Sequence, residues 1–213
     1  MIIDTYETFL WDFNGTIIDD VWLCYEIYQV QQRKYNLRLL SLEEYRFYFT
    51  FPVQDFYTFA GFTGTKKTFT RLAGEFIALY REKRTECQLH EGVQSVLQEI
   101  QNQQKTSRII SAYNRKELEA TLEEFGIRQY FSTVHGLESQ TSGSKIEMAR
   151  ELCDVHNCAP EKTVLLGDTV HDYEVACDLG ISAVLTTKGH NSRERLIRDC
   201  PKARIVESIC HMD

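Results

Sequence analysis

From residue 89 onward the chain alternates short apolar runs with stretches of helical periodicity, and few architectures accommodate that pattern. The runs fall at 107–110, 132–135, 163–166 and 182–186; between them lie 91–102, 114–125 and 145–156, where apolar residues recur at helical spacing. Strands separated by helices are expected to form a parallel sheet, with the helices of the crossovers packed on its faces. Residues 8–11 supply one more strand. The next arrives only about a hundred residues later, far beyond the dozen or so that a crossover needs. Something is inserted between them.

That insertion, residues 19–88, has helical character: Trp22, Tyr25, Ile27, Tyr28 and Val30 lead into a polar turn, and Phe69, Leu72, Ala73, Phe76, Leu79 and Tyr80 recur at helical spacing. It reads as a helical cap. An aromatic group (Phe47, Tyr48, Phe49, Phe51, Phe56, Tyr57, Phe59, Phe62) either packs its helices together or lines a pocket, and packing is the preferred reading. With 213 residues, the expected organisation is one three-layer α/β core from 1–18 and 89–213, joined to the 19–88 cap by hinges near 18–20 and 87–90.

Composition narrows the function classes. A hydrophobic fraction of 43% and a charged fraction of 26% are those of an ordinary globular protein, and no apolar run reaches membrane-spanning length. Without a signal-like start, the expected compartment is the cytoplasm. Seven cysteines form no CxxC pair, and their odd number suggests reduced thiols rather than a disulfide framework or a zinc site. A net charge of −7 argues against nucleic acid as partner, while leaving room for a small anionic substrate held through a metal.

Three apolar runs end in polar residues: Phe9, Leu10 and Trp11 lead to Asp12; Arg108, Ile109 and Ile110 to Ser111; Val164, Leu165, Leu166 and Gly167 to Asp168. In open α/β sheets ligands sit beyond the carboxyl ends of the strands, so these ends are expected to converge. Gly15 permits a sharp turn after Asp12, and Thr16 can hydrogen-bond an oxyanion or cap the next element. Asp172 lies close enough to Asp168 for both to face one cation, and oxygen donors without His or Cys favour magnesium over zinc.

Asp12, Phe13, Asn14, Gly15 and Thr16, then Ser111 after a strand, Lys145 opening a helix, and Gly167 and Asp168 with Asp172 resemble the four ordered motifs of the haloacid dehalogenase-like superfamily. The resemblance extends over essentially the whole chain and takes in phosphoglycolate phosphatase-like members with a helical cap. It implies a Rossmann-like parallel-sheet core with a helical cap, and a phosphomonoester hydrolase acting on a small phosphorylated metabolite through an aspartyl-phosphate intermediate. Asp12 would be the nucleophile. Thr16, Ser111, Ala112 and Lys145 would bind the phosphate, and Mg²⁺ would be held by Asp12, the Asn14 carbonyl and Asp168, with Asp172 a direct ligand or one step removed. The cation would relieve repulsion among the carboxylates and let a phosphate dianion approach. The assembly is expected to be a monomer or homodimer.

Position 14 departs from the pattern. Phosphatases of this family usually carry there an aspartate that protonates the leaving oxygen and later activates water, whereas Asn14 cannot exchange a proton at neutral pH. General acid-base catalysis is worth roughly a hundred- to ten-thousandfold, so alkyl phosphates should be poor substrates. Four readings stand side by side: Asp19 or Asp20 replaces the acid, the substrate has a good leaving group, the protein binds phosphorylated ligands with little turnover, or Asn14 is a trapping substitution. Among local features, Asn114 with Glu117 fits a helix cap better than a substrate contact, and His171 is assigned no role.

Overall fold

The computed structural model describes residues 2–137 and 144–210. Residues 138–143 and 211–213, which the expected core includes, lie outside the described residues. After a short helix, α1 (Ile2–Thr5), come strands β1 (Thr8–Trp11) and β2 (Ile18–Asp19), then helices α2 (Val21–Lys34), α3 (Leu42–Tyr48), α4 (Val53–Phe59) and α5 (Lys66–Lys83). The chain continues through β3 (Gln88–Leu89), α6 (Val93–Asn102), β4 (Thr106–Asn114), α7 (Arg115–Glu124) and β5 (Phe131–Leu137). It ends with α8 (Lys145–His156), β6 (Thr163–Gly167), α9 (Val170–Leu179), β7 (Ser182–Thr186), α10 (Arg193–Asp199) and β8 (Arg204–Val206).

Six strands form a sheet in the order β5-β4-β1-β6-β7-β8, and every neighbouring pair is parallel. Successive side chains on a strand point to opposite faces, and the core divides accordingly. Phe9, Trp11, Ile109, Val164, Leu166 and Val184 pack with Val93, Leu97 and Ile100 of α6 and Leu118 and Leu122 of α7. Leu10, Ile110, Leu165 and Ala183 turn the other way, onto Ala149 and Leu152 of α8 and Val175 and Ala176 of α9. Phe9 and Trp11 are fully buried, each contributing on the order of 2 kcal/mol by leaving water. The three layers expected from the alternation are present. The strand β8, only three residues long, was not expected; it pairs along β7 at the sheet's edge.

From β1 the chain builds toward β4 and β5 on one side, and toward β6, β7 and β8 on the other. The reversal point lies at β1, so the crevice beyond its carboxyl end is where such sheets bind ligands.

The inserted segment is helical. Its two connections to the sheet are tied by β2 and β3, antiparallel with Ile18 opposite Leu89 and Asp19 opposite Gln88, so this strand pair straddles both expected boundaries. Phe56, Tyr57 and Phe62 are buried, and their rings meet Tyr28, Tyr35 and Tyr45 edge-on or tilted. Most of the aromatic group thus packs helices; Tyr48 and Phe59 instead stack at the surface, 4.1 Å apart. Among the described residues no helix is long and apolar enough to cross a membrane.

Local signals place the helices that matter for the site. Ser144 and Glu147 form a capping box at the start of α8, and Asn157, in the left-handed region at φ 51°, closes its other end. Thr169 and Asp172 form the box that starts α9. Asn114 caps α7 by accepting from the backbone N–H groups of Lys116 and Glu117, in line with the capping reading.

Candidate active site

Asp12 follows β1, Asp168 follows β6, and Lys145 opens α8, which packs beside β4. The topology brings their side chains together. Oxygen atoms of Asp12, Asp168 and Asp172 lie within 4.8 Å of one another, and all three residues are buried. Lys145 Nζ donates to Asp12 Oδ1 and, at 2.5 Å, to Asp172 Oδ1. Asp172 Oδ2 accepts from the backbone N–H of Thr169 at 2.9 Å and from its hydroxyl at 2.6 Å, so one carboxylate both starts α9 and fixes the lysine.

Burial of several carboxylates in one place raises their affinity for protons. Burial pushes Asp12 up to about 8, with Lys145 pulling it down and Asp172 and Asp168 pushing it further up. Asp168 is likewise pushed up to about 6 by burial. Burial also works to raise Asp172, but Lys145 outweighs it and holds that carboxyl below its usual range. Lys145 itself is raised: burial would depress it, but its two carboxylate neighbours prevail. An oxygen-only cluster in which burial and mutual repulsion raise Asp12 and Asp168 is chemically suited to a hard cation such as Mg²⁺.

The remaining expected phosphate-binding residues differ in availability. Ser111 ends up within the long strand β4, 1% exposed, with its Oγ accepting from the Tyr113 N–H at 3.1 Å, and Ala112 follows it on the same strand. Thr16 is fully buried, and its hydroxyl donates to Asp168 Oδ1 at 2.9 Å, which holds that carboxylate in place.

Close backbone approach explains two glycines. A Cβ on Gly15, which has φ +72°, would sit 2.5 Å from Asp168 Oδ2, and a Cβ on Gly189 would sit 2.2 Å from the same atom. The loop after β7 can therefore press on Asp168, whose Oδ2 accepts from the His190 backbone N–H at 2.6 Å.

Behind Asn14 lies a buried polar network that sequence reasoning captured only through Asp20. Asp20 Oδ1 accepts from the Gly15 N–H at 2.9 Å; Asp20 Oδ2 accepts from Asn14 Nδ2 at 2.7 Å and from the Tyr80 hydroxyl at 2.8 Å. Asn14 Nδ2 also donates to Tyr80 Oη at 2.9 Å. His190 Nε2 is 3.5 Å from Asp20 Oδ1, while its Nδ1 is 2.9 Å from Tyr45 Oη. Burial favours protonation of Asp20, but His190, Asn14 and Tyr80 outweigh it and hold the carboxyl below its usual range. Asp20 is thus a saturated acceptor, which corrects the reading that it supplies the missing proton; Asp19 is exposed on β2. Cys24 Sγ approaches Asp20 Oδ2 at 3.7 Å and joins the same network. Tyr80 and His190 carried no local signal, because a cap helix and a loop after β7 bring them to the site. His171 bonds Glu174 and faces the Phe51 ring.

The cap reaches the core again at α3. Arg46 Nε donates to the Gly189 carbonyl at 2.9 Å and its Nη2 to the Thr187 carbonyl, while Asn191 Nδ2 donates to the Phe49 carbonyl at 2.9 Å. The loop that presses on Asp168 is thereby tied to the insertion.

Fold and site together define an α/β protein that gathers acidic side chains and a lysine at its topological switch point, under a helical insertion. Residues 9–186 match the haloacid dehalogenase-like hydrolases, and the chain belongs to that family. It is similar to a phosphoglycolate phosphatase of Synechococcus elongatus, 31% identical over 114 residues, which cover 54% of this chain and 53% of that protein. Pyrophosphatase PpaX of Oceanobacillus iheyensis is 28% identical over 177 residues, covering 78% of this chain and 76% of the relative. Among solved structures, a haloacid dehalogenase-like protein of Streptococcus pneumoniae superposes with a TM-score of 0.79 at 18% identity, covering 96% of this chain and 95% of that one. CbbY of Rhodobacter sphaeroides gives 0.75 at 16%, covering 97% and 96%.

Proposed function

We propose that this chain is a magnesium-dependent phosphatase that hydrolyses a small phosphorylated metabolite through a phosphorylated Asp12, with residues 1–18 and 89–213 as its catalytic core and 19–88 as its cap. The observation that carries the reading is the buried meeting of Asp12, Asp168 and Asp172 with Lys145 at the sheet's switch point. Asp12, Asp168 and the Asn14 carbonyl would hold Mg²⁺, and Asp172 would act chiefly through Lys145. Bound there, magnesium would neutralise the carboxylates and polarise the phosphoryl oxygens.

The chain's own groups account for the rest. Lys145 donates to an Asp12 oxygen and to Asp172, and would bind the phosphoryl oxygens together with Ser111 and the Ala112 backbone. Asp12 attacks phosphorus, the bond to the leaving oxygen breaks, and its electron pair leaves with that oxygen. Water then attacks the phosphoryl group; the bond to Asp12 breaks, the carboxylate is regenerated, and a water proton passes to a phosphoryl oxygen. Alignment and charge stabilisation dominate such a reaction. The relatives' names support phosphate chemistry, since one is a phosphoglycolate phosphatase and the other a pyrophosphatase.

The second reading is a phosphate-binding or regulatory protein with little turnover, favoured by Asn14, whose amide supplies no acid. A phosphate-release panel with Mg²⁺ and with EDTA separates the two. Release that depends on Mg²⁺ and disappears in Asp12→Asn is expected. Release equal in Asp12→Asn overturns the assignment of the nucleophile, and tight phosphate-ester binding without release favours the second reading.

A further inference from the structure

Asn14 is held by a partner that only an amide can satisfy. Asp20 Oδ2 and Tyr80 Oη both face Asn14 Nδ2, at 2.7 and 2.9 Å. Tyr80 spends its own hydrogen on Asp20 Oδ2, so toward Asn14 it offers a lone pair. A carboxylate and a lone pair accept and never donate, which fixes the amide's orientation: Nδ2 inward with both hydrogens used, and Oδ1 as its one polar atom free for the site. Asp20 is fully buried, and its other oxygen is taken by the Gly15 N–H. The acidic group of this loop therefore stands at position 20 and the amide at 14, joined by one hydrogen bond. An aspartate at 14 would set two carboxylates against each other at that distance, which accounts for the asparagine without invoking a trapping substitution.

We propose that Asp20, with Tyr80, is a positioning residue that locks Asn14 with its amide hydrogens turned away from the phosphoryl group, and that this lock restricts turnover to substrates whose leaving group departs as a stable anion: phosphoanhydrides and acyl phosphates. The inference rests on the phosphatase reading above. As Asp12 attacks, the bond between phosphorus and the leaving oxygen breaks, and the electron pair stays on that oxygen. A phosphate or carboxylate leaves in that form. An alkoxide needs a proton, and neither the inward-turned amide nor the saturated Asp20 delivers one.

The test is a leaving-group series run on the full chain with Mg²⁺: inorganic pyrophosphate, acetyl phosphate, aryl phosphates of graded leaving-group acidity, and glycerol phosphate. In the unsubstituted protein, kcat/KM should fall steeply as the leaving group becomes more basic. The exchange variant Asn14→Asp with Asp20→Asn keeps the charge and reverses the donor and acceptor of the same hydrogen bond. It should flatten the slope, raising kcat/KM for glycerol phosphate about a hundredfold or more relative to acetyl phosphate. Asn14→Asp alone should flatten it less, because Asp20 then competes for the same proton. A merely structural role for Asp20 would not move this slope. The slope of the unsubstituted protein stands as a test even where the exchange variant fails to fold: a shallow slope means a proton reaches the leaving group, which overturns the proposal. So does an unchanged slope in a folded exchange variant, or full flattening by Asn14→Asp alone. A failure of the phosphatase reading looks different, with no Mg²⁺-dependent phosphate released from any member of the series.

Discussion

At the scale of single residues, the site is a balance between carboxylates and the few groups that keep them together. Lys145 pairs with Asp12 and Asp172, whereas Asp168 is held by hydrogen bonds from Thr16 and the His190 backbone and, among the described residues, pairs with no lysine. Its charge is the one a cation would satisfy most directly. Asp168→Ala should therefore weaken Mg²⁺ binding in calorimetry by at least about tenfold, since a directly bound charged oxygen is lost. Unchanged affinity would remove Asp168 from the metal site. The sequence made Asp12, Lys145, Asp168 and Asp172 readable because each stands where a strand ends or a helix begins, positions whose geometry follows from local pattern. Tyr80 and His190 were unreadable for the converse reason: each sits in an element with no motif, and only packing of the insertion on the core delivers it to Asp20.

Among elements, the parallel strands and the helices between them were legible because each has several residues of one period; α8 begins and ends where the pattern placed it. The strands β2 and β3, two residues each, and β8, three, are too short to show alternation, and pairing alone defines them. The aromatic group was legible as helix packing but not in its surface stack of Tyr48 on Phe59. The tie between α3 and the loop after β7 was likewise invisible in advance, since Arg46 bonds carbonyls more than a hundred residues away. Arg46→Ala leaves those carbonyls without their donor at a half-buried site. The expected cost is about 1 to 3 kcal/mol in denaturant unfolding, with the leverage on Asp168 lost through His190. A change below about 0.5 kcal/mol would mean water replaces the guanidinium and the tie is incidental.

For the whole molecule, the clustered carboxylates make stability depend on pH and metal together. Asp12, raised to about 8, and Asp168, raised to about 6, keep protons in the folded chain that the unfolded chain releases above about pH 4. The folded state then binds more protons, so their contribution to stability is lost as pH rises through those values, at up to about 1.4 kcal/mol per pH unit for each proton. His190, also raised, acts in the same sense above about pH 6.5; His90 and His135, depressed by burial, oppose it only below that value. Asp20 and Asp172, depressed, contribute stability that is lost as pH falls below about 4, outside this window. In EDTA the melting temperature should fall between pH 6.5 and 8, and Mg²⁺ should raise it more at pH 8 than at 6.5. A melting temperature that rises across this interval in EDTA, or an equal Mg²⁺ effect at both ends, would contradict the cluster's role.

Hydrolysis through a phosphorylated enzyme requires that Asp12 attack phosphorus and carry the phosphoryl group. Rapid mixing with acetyl phosphate and Mg²⁺, an acid quench and intact-mass measurement with fragment assignment test it most directly. A transient gain of one phosphoryl group located at Asp12, absent in Asp12→Ala, is expected. A phosphoryl group on any other residue, or turnover with no adduct at any mixing time in a chain that releases phosphate, would contradict it.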